Sequence, residues 1–188
     1  MLKHTVTIQI ESERLILRKF VYGDIPHMLK NWIANPAIQN EYDEPTYKIV
    51  DDVHELLSKW IMNYNNNDFY RWAIILKEND ENIGQIAFCK VYTEIETTEI
   101  EYCIGENYTG KGYATEALNE VIDFSFKKPE FYKLEAFHRI VNSRSGRVLQ
   151  KTIMKKVETI RRFEIENIKP NDDICYGIIS DDYNAIQV

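Results

Sequence analysis

The sequence predicts a three-layer α/β domain: a central mixed, mostly antiparallel sheet of about seven strands with helices on both faces. Three observations predict it. Runs rich in β-branched and aromatic residues fill the middle and the end of the chain; apolar residues recur at helical spacing in four other places; and the two kinds of segment follow one another as strand, two helices, three strands, helix, strand, helix, two strands. At 188 residues with 44% hydrophobic content, the chain can build one substantial core and is too short for two comfortable domains, so residues 1–188 are read as a single domain.

Arg14 to Arg18 reads as the first strand. Asp24 then suits the N-cap of a helix that has Pro26 in its first turn and reaches about Ala34. A second helix is expected over Asp51 to Tyr64, where Val53, Leu56, Leu57, Trp60 and Ile61 share one face. The period then changes. Tyr70 to Lys77, Ile83 to Val91 and Thr97 to Ile104 are three sequential strands, most simply antiparallel, the first two joined by a turn at Glu78 to Glu81. Beyond a glycine-rich turn, Ala114, Ala117, Leu118, Val121, Ile122 and Ser125 line one face of a strong helix. A strand near Tyr132 to His138, a helix from Asn142 to about Thr152, and strands at Val157 to Glu166 and Ile174 to Ser180 complete the set. Trp32, Trp60 and Trp72 are expected in the core.

Composition excludes several functions. A net charge of −7 with no dense Lys/Arg run argues against nucleic acid, whose phosphates demand concentrated positive charge. Cys89, Cys103 and Cys175 are too widely spaced for a disulfide framework or a zinc site, and the four histidines form no H-x-x-x-H pair, so chemistry without a metal is expected. No run of eighteen apolar residues occurs and no apolar stretch follows Met1 to Thr5, so a cytoplasmic protein without a membrane segment is expected.

The most informative stretch runs from Tyr102 to Ala117: a strand, a turn bearing Gly110 and Gly112, then a helix start. Glycines let backbone approach a ligand closely, and the free N–H groups of a helix's first turn attract an anion, a pyrophosphate above all. A tight turn that merely needs positive φ explains the same two glycines. The loop is neither Walker A, because Gly112 follows Lys111, nor a dinucleotide fingerprint, because a third glycine is missing.

On Thr109-Gly110-Lys111-Gly112-Tyr113-Ala114, the chain resembles the GNAT superfamily of N-acetyltransferases, its RimJ/RimL-like branch in particular. The resemblance extends over nearly the whole chain, through Glu13 to Arg18, Ile83-Gly84, Glu99 to Tyr102, Asn142 to Ser145 and Val148 to Lys151. It implies an acetyl-CoA cosubstrate lying where the strand of Glu99 to Ile104 splays from that of Tyr132 to His138. It also implies pyrophosphate contacts from Thr109, Gly110, Lys111, Gly112, Tyr113 and Ala114, with pantetheine contacts from Cys103, Ile104, Asn142 and Ser145. Asn142 equally suits a helix N-cap, and Ser145 a solvated first-turn position. Arg147 and Lys151 are further phosphate candidates.

Acetyl transfer needs a neutral amine, a polarised carbonyl and a way to discharge the leaving thiolate. At pH 7 an α-amine costs roughly 1 kcal/mol to deprotonate and a lysine-like amine roughly 4.6. Glu99 and Glu101 alternate with Ile100 and Tyr102, so both carboxylates share one side of their strand, and one of them is the candidate base acting through a water; either also suits a solvated face. His138 is a further candidate for proton transfer, a role histidine side chains often take. The tyrosine that the family often uses as acid is replaced here by Leu149, which leaves Ser145 as the candidate. Other departures are Thr109 for a longer Arg or Gln, Ile153 where a glycine often ends the helix, and Glu158 in place of a downstream glycine. The expected acceptor is a primary amine, either a protein N-terminus or a small molecule such as an aminoglycoside or polyamine. A non-catalytic acyl-CoA-binding module and a purely structural interaction domain are the alternatives, and the chain is expected to be a monomer or homodimer.

Overall fold

The computed structural model describes residues 2–42, 44–163 and 170–186. Eight strands form one sheet: β1 (Ile10–Glu11), β2 (Leu15–Arg18), β3 (Arg71–Leu76), β4 (Glu81–Tyr92), β5 (Thr97–Ile104), β6 (Lys133–Arg139), β7 (Lys155–Phe163) and β8 (Pro170–Ile179), in the order β1-β2-β3-β4-β5-β6-β8-β7. Every neighbouring pair is antiparallel except β5 and β6. The extra strand beyond the expected seven is β1, two residues long and too short to carry an alternating pattern.

The helices are α1 (Ile25–Asn31), α2 (Pro36–Gln39), α3 (Val50–Asn63), α4 (Tyr113–Lys127), α5 (Ser143–Leu149) and α6 (Ser180–Ile186). Strand alternation sorts the apolar residues into two cores. On one face, Ala73, Ile75 and Cys103 pack with Met28, Trp32, Val53 and Leu57 from α1, its C-terminal turn and α3. On the other, Trp72, Ile74, Ile86, Ile100 and Tyr102 pack with Ala117, Leu118, Val121 and Ile122 of α4 and Leu149 of α5. Trp32 and Trp72 are buried and each indole N–H has an acceptor, Asn82 Oδ1 at 2.9 Å and the Ile8 carbonyl at 2.7 Å. No helix among the described residues is long and apolar enough to cross a membrane.

Several boundaries differ from expectation for local reasons. Asp24 precedes α1, but its carboxylate makes no side-chain cap there; it accepts from the Val21 N–H at 2.9 Å and from the Arg18 guanidinium at 2.8 and 2.9 Å. The first helix ends at Asn31, and Asn35 starts a separate short helix by accepting from the Ala37 N–H at 2.9 Å. Helix α5 stops at Leu149, three residues early, and without a left-handed residue at Ile153. The Thr152 hydroxyl does the work of the missing glycine: it donates to the Leu149 carbonyl at 2.8 Å and accepts from the Met154 N–H at 3.2 Å. Of the strand expected over Val157 to Glu166, the part at 164–166 lies outside the described residues.

The feature that positions the site is the parallel pair. β5 and β6 are registered only from Thr97 opposite Lys133 to Ile100 opposite Ala136. Beyond that point β5 stays on β4 as far as Ile104 opposite Gly84, while β6 stays on β8 as far as Arg139 opposite Asp173. The two strands therefore part after Ile100 and Ala136, and among the described residues that edge of β5 has no strand partner beyond Ile100.

Candidate active site

A cavity of about 570 Å³ lies in that parting. One end is the glycine turn. Gly110 and Gly112 have φ of 77° and 86°, the left-handed region that favours glycine, and Gly112 is the N-cap of α4. Having no side chain, Gly112 caps nothing, so the first-turn N–H groups of α4 open onto a cavity lined by Gly110, Gly112, Tyr113, Ala114 and Thr115.

The turn is fastened from the residues just before β2, a tie that motif reading missed. Arg14 reaches Glu116 with Nε at 2.7 Å and a terminal nitrogen at 2.6 Å, and another of its nitrogens donates to the Lys111 carbonyl at 3.0 Å. Its guanidinium also lies 4.6 Å from the Tyr113 ring centre. Burial pushes the Glu116 carboxyl up, but hydrogen bonds from Ser12, from the Arg14 N–H and from the Arg14 side chain outweigh it, and the net shift is downward. Lys111 itself is not in the cavity wall; its ammonium sits 5.5 Å from the Tyr108 ring centre. The basic side chains in the wall are Arg144, Arg147 and Lys151, the first of which motif reading also missed.

The other end is built from β5 and α5. Tyr102, Cys103 and Ile104 line it, as do Asn142 and Ser145. Asn142 is the N-cap of α5, its oxygen accepting from the Ser145 N–H at 3.1 Å, while its amide donates to a Glu41 oxygen at 2.9 Å. The capping role and the cavity position thus coincide in one side chain. Tyr102 is buried, with its hydroxyl 2.9 Å from Ser145 Oγ and 3.1 Å from the Ser145 carbonyl. Burial pushes the Tyr102 phenol far above its ordinary value, and the Cys103 thiol up to about 12, so both stay protonated at neutral pH.

The two strand carboxylates are not in the cavity wall. Glu99 is held by the Lys90 ammonium at 2.9 Å and the Tyr92 hydroxyl at 2.9 Å. Glu101 accepts from Arg71 at 2.9 Å and from the Gln85 amide at 3.3 Å, directly after the last residue paired to β6. The carboxylates that do line the cavity are Glu41 and Glu106, and Asn35, Ala37 and Ile38 beside them complete that wall. No periodicity marks them, because they stand on a four-residue helix, the short turns that follow it, and the turn after β5. His138 is not in the cavity wall: its Nδ1 is 2.8 Å from the Arg139 carbonyl and its ring packs on Gly146.

A sheet parted at its one parallel junction, with a glycine turn and a helix N-terminus aimed into the gap, defines an acyl-CoA-dependent transferase. The chain belongs to the GNAT acetyltransferase domain family, whose model matches residues 14–155, and is a GNAT N-acetyltransferase of the RimJ/RimL type. It is 26% identical to the uncharacterized N-acetyltransferase p20 of Bacillus licheniformis over 92% of this chain and 96% of that protein. It is 24% identical to a spermidine N(1)-acetyltransferase of Vibrio cholerae over 65% of this chain and 68% of that one. Its fold matches that of RimL, a ribosomal L7/L12 α-N-protein acetyltransferase solved with coenzyme A, with a TM-score of 0.80, 18% identity, and coverage of 93% of this chain and 99% of that one.

Proposed function

We propose that this protein transfers the acetyl group of acetyl-CoA to a primary amine, the α-amine of a protein or peptide N-terminus, by direct attack in a ternary complex. The carrying observation is the continuous cavity from the α4 N-terminus to the Tyr102–Ser145 pair at the parted strands. Residues 1–188 act as one domain, with neither nucleic acid nor membrane as a partner.

The fit of the donor rests on the molecule itself. A Cβ added at Gly110 would meet nothing within 4 Å, so the loop is open on its ligand side, and the α4 N–H groups beside it suit a pyrophosphate. Gly110, Gly112, Tyr113 and Ala114 would hold the pyrophosphate through backbone, with Thr109 and Lys111 flanking. Arg144, Arg147 and Lys151 would face the outer phosphates. The exposed edge of β5 at Cys103 and Ile104, with Asn142 and Ser145 opposite, would hold the pantetheine arm. Acetyl-CoA, when bound, supplies a thioester whose carbonyl accepts the amine's lone pair. Glu41 attracts the incoming ammonium, and Glu101 or Glu99, reached through water because neither lines the cavity, accepts the amine's proton. An α-amine suits this modest base better than a lysine side chain does, since it is the cheaper to neutralise.

A polyamine acceptor is the second reading, favoured by the two carboxylates in the cavity wall, Glu41 and Glu106. The first experiment is calorimetric titration with acetyl-CoA of the native protein and of Gly112→Glu, whose carboxylate would occupy and repel the pyrophosphate position. Binding by the native protein alone is expected; absence of native binding by folded protein would overturn the proposal. Release of free CoA with peptides beginning in Ser or Ala, with spermidine, or with an aminoglycoside then identifies the acceptor. Binding without release for any amine would identify an acyl-CoA-binding module instead.

A further inference from the structure

The Tyr102–Ser145 contact assigns a role to Tyr102, a residue to which the sequence motifs give none. Both residues line the cavity, and they come from opposite sides of the parting: Tyr102 from β5 and Ser145 from the first turn of α5. On Ser145, two acceptors lie within reach of the phenolic proton, the carbonyl at 3.1 Å and Oγ at 2.9 Å. The hydroxyl pair therefore has two arrangements. In one, Tyr102 donates to the carbonyl and Ser145 donates to Tyr102. In the other, Tyr102 donates to Ser145 Oγ, and the serine proton is turned outward. Because burial keeps the phenol protonated, Tyr102 has a proton to donate in either arrangement at any working pH.

Resting on the acetyltransferase reading above, we propose that Tyr102 is a positioning residue that turns the Ser145 hydroxyl toward the sulfur of the coenzyme A as the thioester breaks. The balance is simple. The amine's C–N bond forms, the C–S bond breaks and its electron pair stays on sulfur. Ser145 Oγ–H donates a hydrogen bond to that charge and keeps its proton. The amine's proton passes through water to the strand carboxylate, and the departing thiolate takes one from water. The serine is thus a fixed donor aimed at a developing charge, and Tyr102 decides which way that donor points. The same arrangement makes a tyrosine at position 149 unnecessary, and Leu149 is instead fully buried in the core.

The test separates charge stabilisation from mere structure by measuring binding of free CoA at pH 7 and pH 9, with desulfo-CoA as the reference for every other titrating group. A site that donates to sulfur and lowers the bound thiol's pKa by about one unit from an ordinary value near 8.5 binds CoA about sixfold more tightly at pH 9 than at pH 7. That increment is expected in the native protein. It should shrink at least twofold in Tyr102→Phe and in Ser145→Ala; because the increment is a ratio of binding at the two pH values referred to desulfo-CoA, any pH-independent loss of pantetheine contact in either variant cancels from it. In kinetics with an N-terminal Ser or Ala peptide or spermidine, Tyr102→Phe should lower kcat by about tenfold with little change in KM for acetyl-CoA, part of the loss expected when the hydrogen bond from Ser145 to a charged sulfur is removed outright. Ser145→Ala should lower kcat further, and the double variant should lose no more than Ser145→Ala alone if Tyr102 acts on the reaction through that hydroxyl. Losses that multiply, an unchanged pH increment in Tyr102→Phe, or a kcat within twofold of native would overturn the proposal. Native protein that binds no acetyl-CoA would overturn the acetyltransferase reading instead, so the two failures are distinguishable.

Discussion

Arg14 and Gly112 constrain each other: the guanidinium closes over the glycine turn, and a Cβ at Gly112 would stand 3.3 Å from one of its nitrogens. Arg14→Ala is expected to weaken acetyl-CoA binding by about tenfold, the worth of a charge-assisted hydrogen bond, without emptying the core; calorimetry checks this. Glu116, the other half of the tie, has a pKa held below its ordinary value. A depressed carboxylate contributes stability that is fully present above its unfolded value, near 4.3, and is lost as the pH falls through its lower folded value. The melting-temperature gap between the native protein and Glu116→Gln should therefore be full at pH 7 and close below about pH 4; a gap that ignores pH would show that the charge does not matter. The sequence announced the glycines, because their chemistry is local. It did not announce the tie, because Ser12 and Arg14 meet Glu116 across about a hundred residues of chain.

Helix α5 shows what an element needs beyond its own propensities. It has only seven residues, too few to hold itself in water, so its position depends on what it packs against. Gly146 is the contact: a Cβ there would lie 2.8 Å from His138 Cε1 and 2.9 Å from Nε2, closer than packed atoms tolerate. Gly146→Ala is expected to cost about 1–3 kcal/mol by overpacking and to shift Asn142 and Ser145 out of place. Gly23→Ala is the control, since its added carbon would meet only Val21 Cγ2 at 3.9 Å. Thermal melts of both variants decide it. The boundaries of α5 were half legible: Asn142 reads as a cap in the sequence and is one, whereas the early stop depends on the Thr152 hydroxyl, which no glycine-based rule anticipates. The strands of the centre were legible because their apolar runs are long, and α2 and the turns around Glu41 were not, because four residues cannot display a period.

For the molecule as a whole, acetyl-CoA is a structural partner as well as a reactant. Present at a hundred times its dissociation constant, a ligand that binds only the folded state adds about 2.7 kcal/mol. In a chain of this size, that raises the melting temperature by roughly 5–11 °C. A melt with and without acetyl-CoA should show such a rise in the native protein and none in Gly112→Glu. The two-faced sheet was legible from the alternation of strand and helix periods; the register of β5 on β6 was not, since pairing between strands separated by a helix leaves no local trace. That register has a further consequence. Among the described residues, four residue pairs register the five-stranded portion of the sheet on the three-stranded portion, and past them β5 and β6 part along a seam. A ligand whose arm lies along the free edge of β5 closes the seam as an added strand would. The enzyme would then alternate once per turnover between a sheet in two leaves and a sheet in one, and amide hydrogen exchange along the facing edges of β5 and β6 should slow on loading and quicken on release.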